Sequence, residues 1–425
     1  MNIDLNELIE AKVISPETSE QIKAFYELRQ GKSGNKLVIV FGILGALLVG
    51  SGIILIIAHN WDSLGKVAQL SFGFLPLLVA QLLAVYAYLK KSDSNAWMEI
   101  SSVLVFFAIA TSISVVGQVY NLHSNLSRFL LAWIVLSLPL VYTHRSSIVS
   151  LLIWLVATWY ACLVSYNFFD VHIAPWYWVI VLALTPHYLM LITKSSQSNF
   201  SFFHHWAIAG SLIITLAMFA HKAEELLMLA YLTLLSIFVL IGQLKPYQNI
   251  RLIANAFLVS GSLGIIWLLL FLSFDGFWEF TIERTSDWLM SSEMIVSAVL
   301  FVIAVALVFR LKAHKKLSLI NVKSFAFIVF IFLLLIGLKS PSLAQMLTNF
   351  VILAFGIFTI RDGAISQRLG ILNYGLLIIS ALIICRFFDT DLSFVLRGLL
   401  FVAVGSGFFV ANYWMSKKKG QLQKP

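Results

Sequence analysis

The sequence predicts an all-α polytopic membrane bundle of about 14 transmembrane helices, and three observations carry that expectation. Of the 425 residues, 60% are hydrophobic and only 12% charged, about half the charge that an average soluble domain carries. Runs of roughly 20 apolar residues recur along nearly the whole chain, each long enough to cross a hydrocarbon core of about 30 Å. The runs are continuous, whereas a β-barrel shows alternating strands of about ten residues.

The elements follow in order. Residues 1–36 form the substantial polar segment before the first apolar run. Leu5, Leu8 and Ile9 have helical spacing. In "SPET", Ser15 fits an N-cap, Pro16 the first helical position and Glu17 the first turn, with Gly31 and Gly34 closing the helix. Two short helices of this size are too small for an independent enzyme domain. The first apolar run begins near Leu37 without the short h-region and small-residue cleavage site of a signal peptide, so it is expected to stay as a span. Spans are then expected at 37–58, 67–89, 100–119, 126–143, 147–166, 175–193, 203–220, 224–243, 251–274, 294–311, 320–338, 342–360, 367–386 and 392–414. A basic tail, 415–425, closes the chain. The longest loop, 275–293, is aromatic and acidic and is expected to lie at headgroup depth. Gly42, Ala46 and Gly50, and again Ala403, Gly407 and Ala411, recur every four residues, a period that lets helices approach closely in lipid.

Orientation follows from charge. With the N-terminus inside, 22 of the 29 Lys and Arg fall on the cytoplasmic side and 7 on the other. That excess predicts N-in and C-in, because loops rich in Lys and Arg stay in the cytoplasm. The net charge of +9 therefore reads as topology, not as affinity for nucleic acid. The expected partner is the lipid bilayer of the inner membrane. Oligomeric state leaves no trace in the pattern.

With that orientation the polar clusters fall on the outer face. "HNWD" brings His59, Asn60, Trp61 and Asp62 to the end of the first span, where Trp61 suits an interfacial anchor. "GQVYNLHSNLSR" carries Gln118, Tyr120, Asn121, His123 and Arg128, and "YNFFDVH" carries Asp170 and His172. "RFFDTD" carries Arg386, Asp389 and Asp391, with Arg397 in the last span, where Asp389 or Asp391 is the natural partner of a costly buried charge. Inside the bilayer, His187 follows Pro186 in the sixth span and Gln81 lies in the second. The default for both is a buried, satisfied side chain, His187 meeting a carbonyl that proline frees.

Several classes lack their motifs. There is no HExxH or CxxC, and Cys162 and Cys385 lack ligand spacing, so neither metal nor cofactor is expected. No GxxxxGK[ST] occurs, which speaks against an ATP motor, and no row of acids crosses the bilayer as a proton-coupled pump would use.

Several stretches resemble the bacterial predicted membrane proteins of domain of unknown function 2157. They are "ISPE", "LGALLVGSGIILIIAHNW", "GQVYNLHSN" and "LLAWIVLSLPLVYTHRS", within about the first 170 residues, and "RFFDTDLSFVLRGLLFVAVGSGFF" near the C-terminus. The chain then divides into an N-terminal segment (1–36), a family-like membrane region (37–170), further membrane helices (171–414) and the tail. The resemblance implies a multi-span inner-membrane protein and no activity. Three functional readings remain open. One is translocation of a small solute or lipid headgroup through a periplasmic polar vestibule. Another is a non-catalytic assembly or sensing role through Leu5, Leu8, Ile22, Phe25 and Tyr26. The third is an embedded enzyme on a lipid-linked substrate, with Asp62 or His59 as base. The enzyme carries the least weight, because short outer loops leave little cover for a pocket.

Overall fold

The computed structural model describes residues 13, 15–21, 61–122, 125–166, 172–220, 223–247, 250–274, 276–281, 291–313 and 322–389, with scattered positions from 395 to 413. The chain forms two compact units, 1–73 and 74–425. In the first, a helical turn at 16–21 starts as its sequence dictates: Ser15 Oγ accepts from the Thr18 N–H at 3.1 Å. A 3₁₀ turn, Trp61–Ser63, precedes the next helix, and Gln69 donates to the Trp61 carbonyl at 2.9 Å.

The helices that follow are α1 (Lys66–Lys90), α2 (Asn95–Val119), α3 (Leu126–Thr143), α4 (Ser147–Ser165), α5 (Pro175–Ser195), α6 (Asn199–Leu216), α7 (Glu224–Ile241), α8 (Ala256–Phe271), α9 (Gly276–Thr281), α10 (Ser292–Ala313), α11 (Ala326–Gly337), α12 (Pro341–Ile365) and α13 (Leu369–Asp389). Among the described residues, nine helices are long and apolar enough to cross a membrane: α1 to α6, α10, α12 and α13. α7, α8 and α11 are apolar but shorter. A helix stands at every expected span from 67–89 to 367–386. The expected first span, 37–58, and nearly all of the last, 392–414, lie outside the described residues, as do most positions of the two small-residue stripes.

Where helix limits depart from expectation, a side chain explains the shift. The span expected from 251 starts as a helix only at Ala256, after a 3₁₀ turn at Leu252–Ala254. Asn255 sets the start: its Oδ1 accepts from the Leu258 N–H at 3.1 Å while its Nδ2 donates to the Gly242 carbonyl at 2.9 Å. An N-cap side chain satisfies a donor that the helix leaves orphaned.

Helix contacts rely on missing side chains. A Cβ on Gly261 of α8 would stand 2.6 Å from the Leu235 carbonyl oxygen of α7. In the α12–α13 hairpin, a Cβ on Gly363 would strike the backbone of Leu372, and one on Gly375 would lie 2.6 Å from the Ile360 nitrogen. Such close approach supplies the packing that hydrophobicity cannot provide between helices in lipid. Of the loop expected along the interface, the described residues include the short α9. Trp278 of α9 is fully buried, donates to the Leu272 carbonyl at 2.7 Å, and lies flat on Gly337, whose Cβ would stand 2.5 Å from the ring. Trp278 is a core residue, and Gly337 leaves room for its indole.

Two polar contacts tie the first helices together. The Glu99 carboxylate of α2 accepts from the Ser146 hydroxyl and from the N–H groups of Ser147 (2.7 Å) and Ile148 (3.1 Å) at the start of α4. This anion sits at the positive end of a helix dipole. The Tyr142 hydroxyl of α3 donates to the Ala183 carbonyl of α5, next to Leu182, whose carbonyl Pro186 leaves without its helical donor.

Two variants test this packing. Gly363→Leu should lower stability by about 1–3 kcal/mol through overpacking, whereas Gly370→Ala, with open space at that position, should change it little; thermal unfolding in detergent reads both. Glu99→Ala should cost about 1–3 kcal/mol by stranding the α4 donors, and Ser146→Ala, which removes one donor and keeps the carboxylate, should cost less in the same measurement.

Candidate functional site

The turn after α2 places the polar residues of "GQVYN". Asn121 has φ 48°, the left-handed region. The Leu122 N–H then reaches the Gly117 carbonyl at 2.9 Å and the Asn121 N–H reaches that of Gln118 at 3.2 Å, the pairing that closes a helix with a left-handed residue after its C-cap. Asparagine tolerates that conformation better than most residues. Four residues later Asn125 opens α3, its Oδ1 accepting from the Ser127 N–H at 3.0 Å and hydroxyl at 2.6 Å. Two helix ends are thereby held side by side, both with amide side chains.

Between α1, α2 and α3 lies a cleft of about 1340 Å³. Gln81 of α1, Gln118, Asn121 and Arg128, all singled out from sequence, line it together with Asn125, Ser112 and Ser114. Its other walls are apolar: Phe74, Leu77, Ile109, Ile113, Phe129 and Leu136. Gln81 is exposed to this space, not buried as expected. The lining offers amide donors and one guanidinium, and among the described residues it holds no Asp, Glu or His to act as general acid or base. Its chemistry is that of holding a hydrogen-bond acceptor, preferably a negative one.

The remaining sequence candidates fall elsewhere. Tyr120 is exposed and does not line the cleft. Trp61 is half-buried and Asp62 exposed in the first unit's 3₁₀ turn. Arg386 sits near the end of α13, donating to Ser273 Oγ at 3.2 Å with its guanidinium carbon 4.8 Å from the centre of the Phe274 ring. Asp389 ends α13, its side chain outside the described residues. His59, Asn60, His123, Asp170, Asp391 and Arg397 also lie outside them, as do Leu5, Leu8, Ile22, Phe25 and Tyr26. His172 is exposed, and Cys162 and Cys385 are not joined in a disulfide.

Sequence reading missed a buried polar cluster around α5 and α6. His187, His204 and His205 are each at most 5% exposed. His204 pairs through Nδ1 with the Phe200 carbonyl (2.8 Å) and through Nε2 with Ser150 Oγ (3.0 Å). The carbonyl can only accept, so Nδ1 carries the proton and Ser150 donates to Nε2. His205 Nδ1 meets the Ala254 carbonyl at 2.8 Å, which leaves its Nε2 as a bare acceptor without a partner. The Nε2 of His187 also has no partner among the described residues, so this residue is buried, as expected, but not fully satisfied by them. The Tyr188 and Tyr247 hydroxyls meet at 2.6 Å beside these rings. Burial pushes the Tyr247 phenol up to about 12, so it stays protonated. The adjacent pair in "FFHHW" was the signal for this cluster. Among the described residues no group of three or more His, Cys, Asp or Glu side chains is placed to hold a metal ion.

No curated protein matches the chain. No solved structure matches it either. Gln81, Gln118, Asn121 and Arg128 all lie in the part of the chain with a recognisable relationship, and the histidine cluster lies beyond it. Residues 6–150, about a third of the length, match the family model described as a predicted membrane protein, domain of unknown function 2157.

Proposed function

We propose that the chain crosses the bacterial inner membrane about 14 times with both termini inside, and that the α1–α2–α3 cleft is a periplasmic vestibule. It receives a small anionic solute or an anionic lipid headgroup for translocation. The observation that carries this reading is the meeting of Gln81, Gln118, Asn121 and Arg128 in one cleft. The charge arrangement supports an anionic occupant. Arg128 stands in the first turn of α3, which has no acidic residue, and a cation at that end works against the helix dipole by about 0.3–1 kcal/mol. A bound anion reverses that penalty. The mixed lining supports an amphiphile, with the amides and guanidinium on a headgroup and the Phe74–Leu136 side against a chain. The sorting of 22 Lys and Arg against 7 supports the orientation.

Orientation is tested with paired reporters. A periplasm-active phosphatase should work when fused after Asn125 and fail after Arg145; the reverse pattern turns the cleft inward and ends the vestibule. Translocation is tested in proteoliposomes with fluorescent phosphatidylglycerol and with a small fluorescent anion. Arg128→Ala should slow the protein-dependent rate by about tenfold, as loss of a charged hydrogen bond does, and Tyr120→Ala should leave it unchanged. Rates equal to protein-free vesicles for both probes would remove the function.

A further inference from the structure

A second cavity lies apart from the cleft, walled by α5, α6, α7 and α10, with a volume of about 1200 Å³. That exceeds the roughly 300–1,000 Å³ of most small-molecule pockets. α10 faces it with a single helical stripe, Val296, Val299, Ile303, Leu307 and Arg310. α5 does the same from Trp178 to Ile192. Between Val296 and Arg310 a helix rises about 21 Å, more than the roughly 15 Å of one hydrocarbon leaflet. The space is therefore long, narrow and apolar.

One end differs from the rest. Among the described residues, the charged side chains of the lining are Lys245 and Arg310, both exposed, and no carboxylate accompanies them. Arg310 ends the α10 stripe. Lys245 opens a 3₁₀ turn, Lys245–Tyr247, in which Tyr247 is buried, donates its N–H to the Leu244 carbonyl at 2.9 Å and meets the Tyr188 hydroxyl at 2.6 Å. A buried neighbour thus anchors the turn from which one of the two cations projects.

We propose that this chamber holds an acyl chain of an anionic bilayer phospholipid, with the headgroup phosphate on Lys245 and Arg310. The occupant is a lipid because a chain must fill an apolar space longer than a leaflet. It is anionic because the mouth carries two uncompensated positive charges. The site uses none of the cleft's residues and does not depend on the vestibule's orientation or activity.

Native mass spectrometry of the full chain in mild detergent tests it, with phosphatidylglycerol and phosphatidylethanolamine supplied in equal amounts. Wild type should retain phosphatidylglycerol preferentially. Lys245→Gln and Arg310→Gln should each lower that preference by about fivefold, and Lys312→Gln, exposed on the same helix but outside the lining, should leave it unchanged. Val299→Trp should reduce retention of the lipid without altering the charge of the mouth. Equal retention of the two lipids by wild type would overturn the proposal, as would an effect of Lys312→Gln as large as that of Arg310→Gln. Circular dichroism of each variant separates loss of lipid from loss of fold. An Arg128→Ala chain should keep the preference, so that failure of the vestibule and failure of this site are told apart.

Discussion

Hydrocarbon offers no hydrogen-bond partners, so this chain must satisfy its polar groups from within. Helices do that for most of the backbone. Several buried hydroxyls return to their own helix: Ser102 to Met98, Ser112 to Ala108, Thr348 to Ala344 and Thr359 to Phe355, at 2.6–2.9 Å. Where the helix pattern breaks, a neighbour intervenes. Asn255 serves two helices at once, and Glu99 serves the orphan donors of α4. Each of these is a contact between elements as well as a local repair, so the same requirement that forces helices also selects their neighbours.

The requirement also makes exceptions informative. Among the described residues, two buried imidazole nitrogens lack partners, at His187 and His205, in a cluster that also pairs with Ser150, Phe200 and Ala254. A polar cleft with unspent amides and a lone guanidinium, and an apolar chamber with two cations at its mouth, are departures of another kind. Their chemistry differs in proportion. The cleft is polar over much of one wall, whereas the chamber is polar at one end only.

Fold was more legible than site, and for a physical reason. Span length and hydropathy are set by the bilayer, a constraint that acts residue by residue along the chain, so the helices from α1 to α13, apart from the short α9, stand where apolar runs were read. Limits set by one side chain, such as Asn255, were missed because a cap depends on what its amide can reach. The cleft was half legible. Gln118, Asn121 and Arg128 stand out as polar residues at a span end, but only the fold brings Gln81 to them, and Asn125 passed as a mere loop residue. The burial of Trp278 was not legible, because it depends on Gly337, some sixty positions away. His204 and His205 went unread because an adjacent pair points to two faces of a helix, and each face finds a different partner: Ser150 for one, Ala254 for the other.

The Glu99 contact has a mechanical meaning. It locks the beginning of α2 to the beginning of α4, while the cleft occupies the far ends of α2 and α3, starting about 15 Å further along α2 at Ile109. The lock joins α2 to α4, a helix that does not wall the cleft. One wall of the cleft is therefore moored from behind, to a part of the bundle that an occupant of the cleft would never touch.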